Sequence, residues 1–316
     1  MNWNLFVSEL VAGTVHGCVY ALIALGYSMV YGILKLLNFA HGDVYMVGSF
    51  IGFGILTVFG GATALSIPIW LLLVLMFAAA MLGGGLLGVG IERFAYRRLR
   101  DAPRIAPLIT ALGVSFFLEN AALLIVGAQY QSFNSFSWNP NSSGIGQLWA
   151  IGITLPGDVR LSLAQMIVIA GTIVLMIALT YFVGRTQLGR AMRAVSFDRQ
   201  AADMMGIDVN RVIAVTFFVG SALAGAAAIF NGIVYQQVWA YMGFQAGLKG
   251  FTAAVIGGIG NLPGAVLGGL VLGLAESFTQ GYVTTTFSNA MVFVILIAVM
   301  IFRPNGLLGK PALAKV

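Results

Sequence analysis

The chain has very few charged residues. Asp, Glu, Lys and Arg make up 8% of its 316 residues, whereas hydrophobic residues make up 59% and the mean hydropathy is +0.96. A typical soluble domain carries about 25% charged residues, so this composition excludes a soluble protein. Apolar segments follow one another with only short interruptions, which predicts one transmembrane domain over residues 1–316.

Cysteine and histidine are almost absent. Cys18 is the only cysteine, so no disulfide can form within the chain. Two histidines are too few for a metal site built from several histidines, so the sequence does not indicate a metal enzyme. We therefore expect no metal and no cofactor.

Motifs for covalent chemistry and for nucleotide binding are also missing. The chain has no Gly-x-Ser-x-Gly elbow. Its nearest imitation of a phosphate-binding loop is Gly309-Lys310, where Pro311 replaces the required Ser or Thr. The sequence thus predicts that the chain is not an enzyme and that any ATP hydrolysis belongs to another polypeptide. The net charge of +6 does not indicate a nucleic-acid partner, because no basic run is interleaved with aromatic residues.

Apolar runs of about 20 residues predict an all-α membrane protein with about eight transmembrane segments. We expect these segments near 10–34, 43–60, 66–91, 105–127, 163–184, 212–235, 251–278 and 287–302.

The basic residues predict the orientation of these segments. They collect in the breaks after the third and fifth segments and in the C-terminal tail. Lys and Arg are enriched in cytoplasmic loops, so these three regions are expected inside and the loop 128–162 outside. All 16 Lys and Arg residues except Arg160 and Lys249 then lie on the cytoplasmic side.

The seventh segment is interrupted by glycine and proline. An even number of crossings is needed between Arg211 and the C-terminus, so we expect 251–278 to form two half-helices that meet inside the membrane. Such breaks indicate a substrate path in transporters. The predicted path residues here are Gly257, Gly258, Gly260 and Gly264. Alternatively, glycines that recur every four residues allow two helices to pack closely.

A polar stretch lies between the first two segments. Its polar and flexible residues are Asn38, His41, Gly42 and Asp43. Ionisable groups near the membrane usually face a cavity or a partner, so these four residues are also predicted to line the path or to hold the break. The alternative is an ordinary loop in which Asp43 caps the next helix. Glu119 and Glu276 are further candidates for buried carboxylates, although Glu276 also suits an interfacial position.

The stretch 185–211 holds eight charged residues between two long apolar runs. Its middle predicts a short amphipathic helix from Phe197 to Met205, ended by Gly206. Such a helix suits insertion into a groove on a partner protein, and the alternative is a helix that lies on the lipid surface. The residues predicted to make this contact are Phe197, Asp198, Arg199, Gln200, Ala201, Ala202, Asp203, Met204, Met205 and Gly206.

The same stretch carries a resemblance to a known family. Gln200-Ala201-Ala202-x3-Gly206 resembles the Glu-Ala-Ala-x3-Gly signature of ABC importer permeases, with Gln in place of Glu. The segments 20–43, 189–217, 242–276 and 303–309 resemble, in order, permeases of branched-chain amino acid ABC importers, and especially the shorter of their two permease subunits. Trp239-Ala240 departs from the Asn-Pro that is common in the family.

The resemblance implies a function and a set of partners. It implies an ABC importer permease fold in a bacterial inner membrane, with 185–211 as the loop that couples to an ATPase. It also implies a second permease subunit, two cytoplasmic ATP-binding subunits and a periplasmic protein that delivers leucine, isoleucine or valine. Relatives of similar architecture import urea, short amides or other amino acids. The rival interpretation is a channel or secondary transporter without ATP, which predicts paired charges inside the membrane and no docking helix.

Overall fold

The computed structural model describes residues 3–59, 68–100, 102–103, 105–133, 147–155 and 159–309. Lys310 and Pro311, which bear on the phosphate-loop comparison, lie outside these residues, and the predicted outer loop 128–162 is described only in part.

Helices make up most of the described chain. In chain order they are α1 Trp3–Leu34, α2 His41–Phe59, α3 Ile69–Ile91, α4 Ile105–Val126, α5 Gln147–Ala150, α6 Leu163–Arg185, α7 Gln187–Phe197, α8 Arg199–Met204, α9 Val209–Tyr235, α10 Met242–Gly257, α11 Leu262–Tyr282 and α12 Ser288–Phe302. A π-helical turn, Glu92–Tyr96, and a 3-10 turn, Arg97–Leu99, prolong α3, and another 3-10 turn, Thr285–Phe287, precedes α12.

Two small antiparallel sheets complete the described fold. β1 Gln131–Ser132 pairs with β4 Gln237–Val238, and β2 Gly152–Leu155 pairs with β3 Val159–Ser162. Eight helical stretches of the described residues are long and apolar enough to cross a membrane. The prediction of an all-α, polytopic fold with about eight segments is therefore confirmed.

Helix α1 forms the centre of the molecule. It is apolar on all sides, and most of its residues from Val15 to Leu34 are buried, as expected for a helix enclosed by protein. Helix α11 runs antiparallel along it, with Gly269 against Ala21 and Gly273 against Gly17. Helices α9 and α10 also pack on α1. In contrast, α4, α6 and α12 expose many large apolar side chains, such as Phe117 and Ile177.

The helices have two distinguishable ends. We call the end that carries α7 and α8 the inner end. The C-terminus of α1, the start of α9 and the turn between α10 and α11 all lie there, since Arg199 contacts Leu34 and Gly260 lies against Gly32. Arg100 donates a hydrogen bond to Asn210, 2.6 Å away, so the two Arg-rich breaks also share this end. The four strands lie toward the opposite, outer end.

The interrupted segment differs from the sequence prediction in one respect. The break is present, between Gly257 and Leu262, but only α10 is short. Its 16 residues rise about 24 Å, less than the ~30 Å of the bilayer core, whereas the 21 residues of α11 rise about 32 Å. The expectation of two half-helices is thus wrong, because α10 begins earlier and α11 ends later than the apolar run indicates.

The position of this break also differs from expectation. The amide nitrogens of Leu307 and Leu308 donate to the carbonyl oxygens of Ile256 and Gly257, at 2.8 and 3.1 Å. The turn therefore lies beside the segment that follows α12, at the inner ends of the helices, and not halfway along them. The irregular backbone obtains its hydrogen bonds from this segment, as buried polar groups require.

Candidate functional site

The charged stretch after α6 folds into two short helices because its polar residues cap them. The Thr186 hydroxyl accepts a hydrogen bond from the amide of Gly189 at the start of α7. The Asp198 carboxylate accepts from the amides of Gln200 and Ala201, at 2.9 and 3.0 Å. Asp208 accepts from the amide of Arg211 at the start of α9. Side chains of this kind satisfy the free N–H groups of a helix start.

The cap formed by Asp198 divides the predicted docking helix into two helices. We expected one helix from Phe197 to Met205, but Phe197 is the last residue of α7 and α8 begins at Arg199. Asp198 has an extended backbone, with φ of −150°, and separates the two helices. Gly206 follows the end of α8 with φ of +81°, a conformation that favours glycine.

Three large apolar side chains stand out from this end of the molecule. Phe197 is 94% exposed, and Met204 and Met205 are each 82% exposed. We call Phe197, Met204 and Met205 the docking patch. Gln200, Ala201 and Asp203 are exposed beside it, whereas Ala202 is buried. Clustered apolar exposure of this kind, rimmed by polar residues, marks an interaction surface.

Arg199 connects the docking patch to the central helix. Its guanidinium donates hydrogen bonds to the carbonyl oxygens of Leu34 and Ile33, at 2.8 and 3.3 Å. These carbonyls belong to the last turn of α1, which lacks intrahelical partners and carries partial negative charge. Arg199 therefore forms a direct contact between α8 and the end of α1.

The polar stretch 38–43 lies deep inside the protein. His41 packs on Gly26 of α1, eight residues or about 12 Å before the end of that helix. The chain therefore turns back into the molecule after α1, and α2 starts there. The hydroxyl of Tyr96 shares its one proton between the carbonyl of Leu37 and the side-chain oxygen of Asn38, at 3.1 and 3.2 Å, and holds the returning segment.

The cap interpretation for Asp43 is wrong. Asp43 lies in the first turn of α2, not before it, and its buried carboxylate lies near the side chain of Ser115 in α4. The His41 imidazole is also buried, near the backbone of Ile23 in α1. Gly42 packs on the backbone of Gly243 and Gly247 in α10. Buried ionisable groups beside a close helix contact are thus brought together at the start of α2.

The predicted path glycines form helix contacts. Gly257 and Gly264 face each other so closely that a Cβ on Gly257 would lie 1.9 Å from the carbonyl oxygen of Gly264. Gly258 has φ of +104° and starts the turn. Gly260 lines a cavity of about 530 Å³ at the inner end, together with Ser28 and Arg193 among others. Gly257 and Gly264 therefore form a close helix contact, as the packing alternative expects of Gly264, while Gly260 borders open space.

A second cavity, of about 450 Å³, lies toward the outer end. We call it the outer cavity. Its apolar walls include Val19, Ile23, Met242 and Ala246, and its polar lining includes Tyr20, Asn231, Gln237, Lys249, Glu276 and Gln280. None of the predicted path residues lines it.

The outer cavity contains an ion pair that sequence reasoning missed. The ammonium of Lys249 lies 2.6 Å from Oε1 of Glu276, and the Tyr20 hydroxyl donates to Oε2 of the same carboxylate at 2.7 Å. Glu276 is buried, as expected for one of the two candidate buried carboxylates. In the sequence, Lys249 stands out only as an exception to the enrichment of Lys and Arg on the cytoplasmic side. A lysine inside an apolar run is itself the signal that could have identified this site.

Comparisons with known proteins identify the family of the chain. The family model described as "Branched-chain amino acid transport system / permease component" matches residues 10–302. The permease protein BraD of a high-affinity branched-chain amino acid transport system in Pseudomonas aeruginosa is 41% identical over 311 residues, 98% of each chain. The permease protein LivH of Escherichia coli is 40% identical over 314 residues, 98% of each chain. LivM of Salmonella typhimurium is 24% identical over 92% of this chain and 68% of its own length.

Proposed function

Because this chain belongs to the family of branched-chain amino acid transport permeases, we propose that it is the membrane-spanning permease subunit of an ATP-driven importer of leucine, isoleucine and valine. The names of the relatives that match 98% of the chain support this substrate class. The stronger match to LivH than to LivM supports the role of the shorter permease, paired with a LivM-like second permease.

The observation that carries the coupling part of this proposal is the docking patch. An isolated membrane protein gains nothing from placing Phe197 and two methionines in solvent. A groove on a soluble partner accounts for both the apolar side chains and the polar rim. We infer that two cytoplasmic ATP-binding subunits occupy these surfaces of the two permeases and that their closure moves α8 and, through Arg199, the end of α1.

The proposal also fixes the orientation. The inner end becomes the cytoplasmic face, which places both Arg-rich breaks and the segment 303–309 inside, in agreement with the enrichment of Lys and Arg in cytoplasmic loops. The outer end then faces the periplasm of a bacterial inner membrane, where a binding protein delivers the amino acid. We propose that Asn38, His41, Gly42 and Asp43, together with Gly257, Gly258, Gly260 and Gly264, shape the route between the two faces.

The ion pair in the outer cavity bears on the rival interpretation. A channel or secondary transporter was expected to have paired charges inside the membrane, and Lys249 and Glu276 are such a pair. The distinction from an ATP-independent transporter therefore depends on the docking patch and on the family relationship.

Transport by the complete complex tests the function. The chain, co-expressed with its second permease and ATP-binding subunits, is reconstituted into liposomes with the binding protein outside and ATP inside. Uptake of radiolabelled leucine should require ATP and should be inhibited by isoleucine and valine but not by urea or acetamide. Inhibition by urea or acetamide instead would contradict the substrate class, and uptake without ATP would contradict the mechanism.

A further inference from the structure

The charged groups of the outer cavity are held unequally. The Glu276 carboxylate accepts a hydrogen bond from Tyr20 at 2.7 Å and another from the Gln280 amide at 3.5 Å, and it is 4% exposed. The Lys249 ammonium bonds to Glu276 and, at 3.4 Å, to the oxygen of Tyr20, but it stands on a flexible four-carbon stem, and its side chain is 19% exposed. Glu276 is thus a fixed negative group, and Lys249 is a positive group that can move into the cavity.

Paired charges at this depth have an energetic cost. Removing two charges from water costs several kcal/mol each in general, and their mutual attraction often only balances that cost. An ion pair is therefore a poor way to hold α10 and α11 together, particularly because the glycines of these helices already allow close apolar packing. Ionisable residues in transmembrane segments usually mark a substrate or ion pathway.

We propose that the outer cavity is a binding site for the zwitterionic backbone of a free amino acid, in which Lys249 binds the α-carboxylate and Glu276 binds the α-ammonium. The inference rests on the proposed function and names the residues that recognise its substrate. On binding, Lys249 leaves Glu276 and follows the substrate carboxylate, and the substrate ammonium takes its place. Each charge keeps an opposite partner throughout, so no unpaired charge is left in the cavity.

The remaining lining fits the rest of such a ligand. Val19 and Ile23 of α1 and Met242 and Ala246 of α10 present apolar surface beside the charged pair. An aliphatic side chain loses water-exposed area there. Tyr20 acts as a positioning residue, since its hydroxyl fixes the Glu276 carboxylate. An uncharged molecule such as urea cannot separate the ion pair, so the site favours amino acids over amides.

Neutralising each charge in turn tests the site. In the reconstituted complex, Lys249→Gln and Glu276→Gln should each raise the half-saturating leucine concentration at least about tenfold, as expected when a charge-assisted hydrogen bond is lost. Binding of radiolabelled leucine to the purified complex without its binding protein should weaken to a similar degree. The matched control is Glu9→Gln. Glu9 accepts a hydrogen bond from Ser277 of α11 and does not line the cavity, so its replacement should leave both values unchanged.

The double substitution of Lys249→Glu with Glu276→Lys separates binding from structure. It keeps an ion pair but reverses its direction relative to the apolar wall. A purely structural pair would be restored by this exchange, with uptake returning to that of the unmodified protein, and this result would overturn the proposal. A binding site predicts that leucine uptake stays low.

A substitution that leaves the charges intact covers the case in which the charge variants fail to assemble. Ala246→Phe fills the apolar part of the cavity and should raise the half-saturating leucine concentration about tenfold or more. Unchanged leucine affinity in this variant, or in both neutralised variants, would overturn the site while leaving the importer function intact. Absence of ATP-driven leucine uptake by the unmodified complex would instead overturn the function.

Discussion

At the scale of single residues, the charged side chains of the inner end have identifiable structural roles. Asp198 and Asp208 each begin a helix by accepting backbone N–H groups. Arg199 binds the last carbonyls of α1. Gln200, which differs from the Glu of the family signature, is exposed. Its difference in charge therefore lies on the surface and does not disturb the fold.

Arg199 provides the first prediction. Arg199→Gln removes the charged donor to the carbonyls of Leu34 and Ile33, a contact worth about 1.5–3 kcal/mol. We expect leucine uptake per ATP hydrolysed to fall about tenfold while the ATP-binding subunit still co-purifies, because the docking patch is unchanged. Parallel assays of uptake and hydrolysis in liposomes measure this ratio. Arg98→Gln, at an exposed arginine of the same end, is the control, and an unchanged ratio in the Arg199 variant would show that α8 does not act through α1.

Gly257 provides the second prediction. Gly257→Ala places a Cβ 1.9 Å from the Gly264 carbonyl oxygen, so the helix pair must separate. Overpacking of this kind costs about 1–3 kcal/mol, and we expect a lower midpoint of thermal unfolding in detergent. Gly113→Ala is the control, because a Cβ on Gly113 of α4 has no neighbour within 4 Å. Equal midpoints for the two variants would contradict the close contact.

At the scale of helices and turns, the sequence predicted the segments well and their ends less well. Long apolar runs located seven of the eight candidate spans, since length and hydropathy are local properties. The other, Leu262–Tyr282, overlaps the run 251–278, for which we expected two half-helices. The sequence did not predict how deep in the protein α2 starts. That depth depends on packing against Gly26 of α1 and Gly247 of α10, which only the folded structure shows. The boundary at Asp198 was missed although it is local, because a capping residue was interpreted as part of the helix.

The outer cavity could not be predicted for a related reason. Tyr20 and Glu276 are 256 positions apart and meet only because α11 runs antiparallel to α1. Their contact follows from tertiary packing, which a single sequence does not display. The charged stretch 185–211, in contrast, contains within itself all the residues that predict a docking surface. The apolar residues named from it include the three of the docking patch.

The docking patch provides an element-scale prediction. Replacing Phe197 and Met204 together by Ser should abolish co-purification of the ATP-binding subunit in detergent. Both side chains are exposed, so the permease itself should unfold at a temperature close to that of the unmodified protein. Phe94→Ser is the matched control, since Phe94 is 76% exposed in the turn after α3 but lies outside the patch. Loss of the partner in the control as well would mean that general apolar exposure, and not this patch, holds the complex.

At the scale of the whole molecule, the two sites contact one central helix, the docking patch beside its inner end and the outer cavity near its middle. Arg199 contacts the inner end of α1, and the Tyr20 hydroxyl of the same helix holds the carboxylate in the outer cavity. A shift of α1 driven from the inner end would therefore change the position of Tyr20 relative to Glu276. We propose that this contact couples ATP-driven closure to release of the amino acid.

The central claim is that α8 and the docking patch couple the permease to the ATP-binding subunit. A reversible cross-link at α8 tests it most directly. Cys18 is replaced by Ser, Ala201 by Cys, and a single cysteine is placed in the groove of the ATP-binding subunit. Oxidation should join the two chains and stop ATP-driven leucine uptake, and reduction should restore it. If no cross-link forms while ATP-driven uptake continues, residues 197–206 do not contact the ATP-binding subunit, and the proposed coupling is wrong.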